Sequence, residues 1–158
     1  MNRQEFKQRL AEGPVLMDGA FGTVLHGRGV PIDQSFDAVN LSNPALVAEI
    51  HRAYIDAGAD LIETNTFGAN RYKLSEHGQQ DKVDEINRAA VRVARRVIDG
   101  SFKEIVLAGS VGPLGVRLAP LGRVSFAEAQ EAFREQIQAL YDAEPRGVDV
   151  IIIETMSD

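Results

Sequence analysis

The chain alternates short apolar runs with amphipathic helical stripes, and three of the runs end in a carboxylate followed by small or hydroxyl residues. They are Val15-Leu16-Met17-Asp18-Gly19, Leu61-Ile62-Glu63-Thr64-Asn65 and Val150-Ile151-Ile152-Ile153-Glu154-Thr155. Apolar runs of this length, bounded by turn residues and separated by helix patterns, read as buried parallel strands. In such folds ligands bind at the carboxyl ends of the strands, where loops converge. Asp18, Glu63 and Glu154 are therefore expected on one rim of one sheet. That rim suits a cationic or amino-bearing small molecule.

The rest of the chain supplies the helices. Residues 3–12 carry Phe6 and Leu10 on one side and stop at Gly13-Pro14. The first strand is expected over about 14–18, followed by an irregular connection to about 41 that is either functional or a cover over the sheet end. Asn43-Pro44 opens a helix lined by Leu46, Val47, Ile50, Tyr54 and Ile55 and closed by Gly58. A second strand at about 60–64 and a short helical turn lead to a helix over about 81–99. Its stripe is Val83, Ile86, Ala90, Val93 and Val97, with Gly100 as the stop. Ile105–Ala108 reads as the third strand. Ser125 and Glu128 form a capping box for a helix burying Phe126, Ala129, Phe133, Ile137 and Leu140. The fourth strand is Val150–Glu154. Gly58-Ala59-Asp60 and Gly147-Val148-Asp149 each precede an apolar run and a Glu-Thr pair, a faint internal repeat.

The order β-α-β-α-β-α-β implies a parallel sheet with right-handed crossovers. Four strands would leave the last, wholly apolar one as an unprotected edge. The α/β pattern over residues 1–158 therefore reads as the first four βα units, the N-terminal half, of a (β/α)8 barrel, which runs to about 250 residues. A small open four-stranded sheet is the alternative.

Charge and composition narrow the function. Lys plus Arg number 17 against 23 Asp plus Glu, a net charge of -6, which argues against a grip on nucleic-acid phosphates. The densest basic cluster, Arg92, Arg95 and Arg96, reads as a solvated helix face. No apolar run approaches the roughly 20 residues of a membrane span. Met1–Glu5 lacks the apolar core of a secretory signal, so a cytoplasmic location is expected. The chain has no cysteine, which removes disulfides and thiolate ligands together. His26, His51 and His77 lack metal-ligand spacing and read as surface or locally bonded residues.

Two motifs carry chemistry. In Asp18-Gly19-Ala20-Phe21-Gly22-Thr23 the glycines permit a tight turn with exposed N–H groups, and the carboxylate ahead of it can hold an ammonium group. An amino acid presents both charges side by side. Glu63 through Phe67 and Glu154-Thr155 add hydrogen-bonding groups at strand ends. Gly109, Gly112 and Gly115 are not the dinucleotide fingerprint, which needs G-x-G-x-x-G opening a helix.

Asp18 through Thr23, Asn40-Leu41 with Pro44, Ala57 through Asp60, Thr64 through Asn70, Gly112-Pro113 and Glu154-Thr155 together resemble the homocysteine S-methyltransferase domain. That domain occurs in cobalamin-dependent methionine synthase, in betaine–homocysteine methyltransferase, and fused to methylenetetrahydrofolate reductase in bifunctional proteins. The resemblance spans essentially the whole chain. It implies a (β/α)8 barrel that transfers a methyl group to the thiol of homocysteine, giving methionine. It implies that Asp18 and Glu154 bind the amino group, that the loop Gly19, Ala20 and Phe21 receives the carboxylate, and that Asn65 and Thr66 are rim residues.

The resemblance also implies zinc, which makes the thiolate nucleophile available. The family's zinc ligands are three cysteines from the second half of the barrel, and this chain has none. The expectation is a fragment that holds the acceptor but is inactive alone; a non-catalytic half-barrel binding or assembly module is the alternative. The methyl donor, whether folate, cobalamin, betaine or S-methylmethionine, is left open.

Overall fold

Local capping signals set where three of the helices begin. Asn43 Oδ1 accepts the Leu46 N–H at 3.2 Å and starts α4 (Pro44–Asp56). Ser125 and Glu128 cap reciprocally and start α7 (Phe126–Tyr141). Asn70 Oδ1 accepts from Tyr72 and Lys73 and starts α5 (Arg71–Ser75). The other helices are α1 (Arg3–Glu12), α2 (Gly22–Gly27), α3 (Val39–Ser42) and α6 (Val83–Ser101), the last preceded by a 3-10 turn, Gln80–Lys82. A computed structural model describes residues 3–156; Met1 and Asn2, part of the stretch read as lacking a signal, and Ser157 and Asp158 lie outside the described residues. Among the described residues no helix is long and apolar enough to cross a membrane.

Strands β1 (Leu61–Glu63), β2 (Val106–Val111) and β3 (Val150–Ile153) form one parallel sheet in that order. Leu61 pairs with Val106, and Ala108 with Val150. Strand periodicity then sorts the side chains. Ile62, Leu107 and Ile151 pack against the helices, in a core that includes Ile55, Val91, Ala94, Ile98 and Leu140. Leu61, Val106, Ala108, Val150 and Ile152 line the opposite face, where Phe6 of α1 and Val15 join them. Glu63, Ser110 and Glu154 continue this second face at the carboxyl ends.

The repeated Gly-x-Asp has a structural role at the other end. The Asp60 N–H donates to the Leu16 carbonyl at 2.8 Å, and its carboxylate accepts the Leu16 N–H at 3.1 Å. Asp149 does the same one strand along, with the Leu107 carbonyl at 2.8 Å and the Leu107 N–H at 2.9 Å. Asp60 clamps Leu16 of the first run against β1 and Asp149 clamps Leu107 of β2 against β3, each from both sides, which fixes register at those two seams. Each aspartate also meets an arginine from a helix: Arg9 at 3.2 Å from Asp60, and Arg95 at 3.0 Å from Asp149.

Several sequence expectations are corrected. The first apolar run is not a strand but a single bridge, Met17 to Leu61. Leu16 spends its carbonyl on both Asp60 and Leu61, and Pro14 has no N–H to give. Gly100 does not stop α6; the helix passes through it and ends where Phe102 adopts φ 55°. Phe126 is exposed rather than buried; it is the first residue of α7, so its side chain projects beyond the helix body. Arg95 is not solvated: its guanidinium is buried on Asp149 and the Gly147 carbonyl, while Arg92 and Arg96 are exposed.

Asp149→Ala leaves that guanidinium buried without its carboxylate, so a loss of about 3–5 kcal/mol is expected in urea denaturation. Asp60→Ala, where both partners are about one-third exposed or more, is expected to cost about 1 kcal/mol or less. Equal losses would contradict burial as the source of the difference.

Candidate functional site

The register places Asp18, Glu63 and Glu154 in the lining of one cavity of about 700 Å³ at the carboxyl end of the sheet. Asp18 is 8 % exposed, and its two carboxylate oxygens accept the Glu63 N–H at 3.1 and 3.0 Å. Burial pushes its pKa up to about 7, against the pull of that N–H; the charges of Glu63 and Glu154 push it further. Glu63 also rises to about 7, from burial and then the charge of Glu154. Its buried Oε1 has no hydrogen-bond partner. Glu154 Oε1 accepts from Ser110 Oγ at 2.5 Å. The rim is a set of carboxylates in one cavity that form no ion pair among the described residues, an environment that favours a proton or an incoming cation.

The loop after Asp18 forms the second part. Tyr54 Oη donates to the Ala20 carbonyl at 2.9 Å, and Phe21 lies on the His51 ring with centroids 4.8 Å apart. The N–H groups of Gly19, Ala20 and Phe21 donate to none of the backbone carbonyls recorded for loops of the described residues. The glycines here serve close approach rather than an unusual φ. A Cβ at Gly19 would lie 3.3 Å from Tyr54 Oη, and one at Gly22 3.2 Å from the Phe36 ring.

Asn65 and Thr66 line the cavity wall, and their side chains are engaged there. Asn65 Nδ2 donates to the Phe36 carbonyl at 2.7 Å, and Asn40 Nδ2 donates to the Asn65 carbonyl at 2.7 Å. Thr66 Oγ1 donates to the Ser110 carbonyl at 2.8 Å. These bonds draw the 31–41 connection over the sheet end as a cavity wall. Asp37 on that connection accepts the Gly68 N–H at 2.9 Å; burial raises it to about 6, opposed by Gly68, His77 and Lys73.

Three residues were missed from sequence as site components: Ser110, Tyr54 and Asp37. Counting by twos from Val106 puts Ser110 on the face of Glu154, a signal that was legible. Nothing local marks the other two. The histidines divide. His26 Nδ1 lies 3.1 Å from the Val30 carbonyl, as expected of a locally bonded residue. His51 contradicts its reading: it is fully buried, both ring nitrogens lack partners, and burial lowers its pKa to about 3. The helix α4 that carries it packs on the apolar cluster under the loop.

Residues 15–158 match the profile of the family described as homocysteine S-methyltransferase. Methionine synthase of Mycobacterium leprae (strain TN) is 34% identical over 161 residues, covering 96% of this chain and 13% of that protein. Methionine synthase of Mycobacterium tuberculosis (strain ATCC 25618 / H37Rv) is 35% identical over 159 residues, 94% of this chain and 13% of that protein. Among solved structures, the metallated form of the homocysteine methyltransferase MmuM from Escherichia coli aligns with TM-score 0.78 and 28% identity, over 94% of this chain and 56% of that one. Its apo form aligns with TM-score 0.67, over 94% and 52%. The chain thus spans a small part of the methionine synthases and about half of the solved enzyme.

Asp18, Glu63 and Asp37 bind protons more tightly in the fold than their ordinary values of 3.8, 4.5 and 3.8. The folded state therefore holds more protons between about pH 4 and 7, and stability falls as pH rises through that window. His51, lowered from 6.5, acts oppositely, but only below about pH 6.5. The thermal midpoint is expected to fall from pH 6.5 to pH 8.5, and less steeply in Asp18→Asn. A midpoint that rises over that range in the unsubstituted protein would refute the crowding.

Proposed function

The chain belongs to the homocysteine S-methyltransferase family, and from that premise we propose that it forms the amino-acid-binding half of an enzyme that methylates the thiol of homocysteine to give methionine. The observation that carries this reading is the pairing, in one cavity, of carboxylates that form no ion pair among the described residues and a loop whose N–H groups meet no loop carbonyl there. Asp18 and Glu154 take the α-ammonium group, with Glu63 adding negative charge beside them. Gly19, Ala20 and Phe21 take the α-carboxylate. Asn65 and Thr66 hold the wall that limits where the side chain of the amino acid points. The cavity is larger than one amino acid needs, which leaves room for a methyl donor to approach the sulfur.

The fold read here is the first half of a (β/α)8 barrel. Its support is the parallel β1-β2-β3 sheet with the bridged first run beside it, and the 56% coverage of the solved enzyme.

Zinc in the resembled enzymes requires three cysteine thiolates. This chain has no cysteine, and among the described residues no group of three or more His, Asp or Glu is placed to hold a metal. The residues present do not fit zinc. Their part is to bind and orient the acceptor, which lowers the barrier by positioning. Thiol activation is assigned to polypeptide outside these residues.

The test is calorimetric titration of homocysteine into the full-length gene product. Asp18→Asn and Glu154→Gln are each expected to weaken binding roughly 10- to 100-fold, the range for a hydrogen bond to a charged group. Affinity is expected to rise from pH 6 to pH 8, because the raised carboxyls must ionise before they can hold an ammonium group. Unchanged affinity in both variants would remove the assigned roles.

A further inference from the structure

We infer that Ser110 is a positioning residue that aims Glu154 at the α-ammonium group of the bound amino acid; this deepens the function proposed above and rests on it. Ser110 is 3 % exposed on the central strand, two residues beyond Ala108 on the same face. Its hydroxyl donates to Glu154 Oε1 at 2.5 Å, the short distance of a charge-assisted O–H···O bond. With Oε1 engaged in this way, Oε2 is the oxygen left to meet a ligand.

Ser110 is itself held. Its N–H donates to Thr64 Oγ1 at 3.2 Å, and its carbonyl accepts from Thr66 Oγ1 at 2.8 Å. The two threonine hydroxyls lie 2.6 Å apart, so Thr64 donates to Thr66. Gln136 of α7 donates to the Thr66 carbonyl at 2.7 Å. A continuous set of buried hydrogen bonds therefore runs from α7 to the Glu154 carboxylate.

The glycines around Ser110, unassigned from sequence, belong to the same construction. A Cβ at Gly109 would sit 2.9 Å from Ile151 Cδ1 and 3.0 Å from Leu140 Cδ1. One at Gly112 would sit 2.6 Å from the Phe67 carbonyl oxygen. Glycine at these positions lets Ile151 and Leu140 pack on the helix side of β2 and lets the Phe67 carbonyl lie against the segment that follows it. A glutamate fixed before the ligand arrives loses less rotamer freedom on binding.

The experiment is calorimetric titration of the full-length protein with homocysteine and with its desamino analogue, 4-sulfanylbutanoate. The proteins are the unsubstituted form, Ser110→Ala, Ser110→Thr, Glu154→Gln and the Ser110→Ala/Glu154→Gln double variant. Ser110→Ala is expected to weaken homocysteine about tenfold and to leave the desamino analogue unchanged. Ser110→Thr, which keeps the hydroxyl, restores affinity to within about threefold. In the Glu154→Gln background the alanine substitution adds less than about twofold, because the charged carboxylate that Ser110 aims at the ammonium group is already gone. If Ser110→Ala does not fold, Ser110→Cys takes its place with the same expectations.

Equal loss for both ligands, or additive loss in the double variant, overturns the inference by making Ser110 a packing residue. If homocysteine binds and Glu154→Gln weakens it while Ser110→Ala does not, the inference fails and the function stands. If the unsubstituted protein binds no homocysteine, both fail.

Discussion

Register is the constraint on which the rest of this structure depends. A parallel strand pair can slip, and a slip of one residue moves every side chain to the opposite face. Here Asp60 holds Leu16 of the bridged first run, and Asp149 holds Leu107 of β2, each by both its N–H and its carbonyl. The clamps act at the amino ends, yet their consequence is felt at the carboxyl ends. With β3 fixed on β2, Ser110 and Glu154 share one face, and with Leu16 fixed on β1, Asp18 meets Glu63; all four line one cavity. The two clamps are not equal. That of Asp149 is buried with Arg95, and that of Asp60 lies on the wetter edge with Arg9.

What the clamps bring together is electrostatically unfavourable by itself. Asp18 and Glu63 are pushed up to about 7 by burial and by neighbouring negative charge. The same protein pairs Asp149 with Arg95 and Arg146, and there the carboxyl is held low although burial pushes it upward. The contrast sits within one sheet. At its amino end, the buried Asp149 carboxylate receives guanidinium partners and serves stability. At its carboxyl end the carboxylates receive none, and local stability is given up for a rim that favours an external cation.

The cavity wall is built mostly from side chains bonded to main chain. Tyr54 holds Ala20, Asn65 holds Phe36, Asn40 holds Asn65, and Gln136 holds Thr66. Such bonds fix loops that have little apolar surface of their own to bury. They also explain why Gly19, Gly22 and Gly112 are glycines: a Cβ at each would crowd a tyrosine hydroxyl, a phenylalanine ring and a backbone carbonyl.

The sequence by itself determined the order of the four longer helices and the three paired strands, the caps at Asn43 and Ser125, and the carboxylates Glu63 and Glu154 at strand ends, but not the short helices α2 and α3 within the connection read as irregular. What it determined follows from patterns a few residues long, which local sterics and hydrogen bonding decide. It also carried the family, through motifs spread along the chain. Only the tertiary structure decided that the first run keeps a single bridge and that Arg95 and His51 are buried. The same holds for the hydroxyl of Ser110, which finds a carboxylate 44 residues away. Burial and contact at such separations depend on which surfaces meet when helices pack on the sheet, and no window of neighbouring residues contains that information.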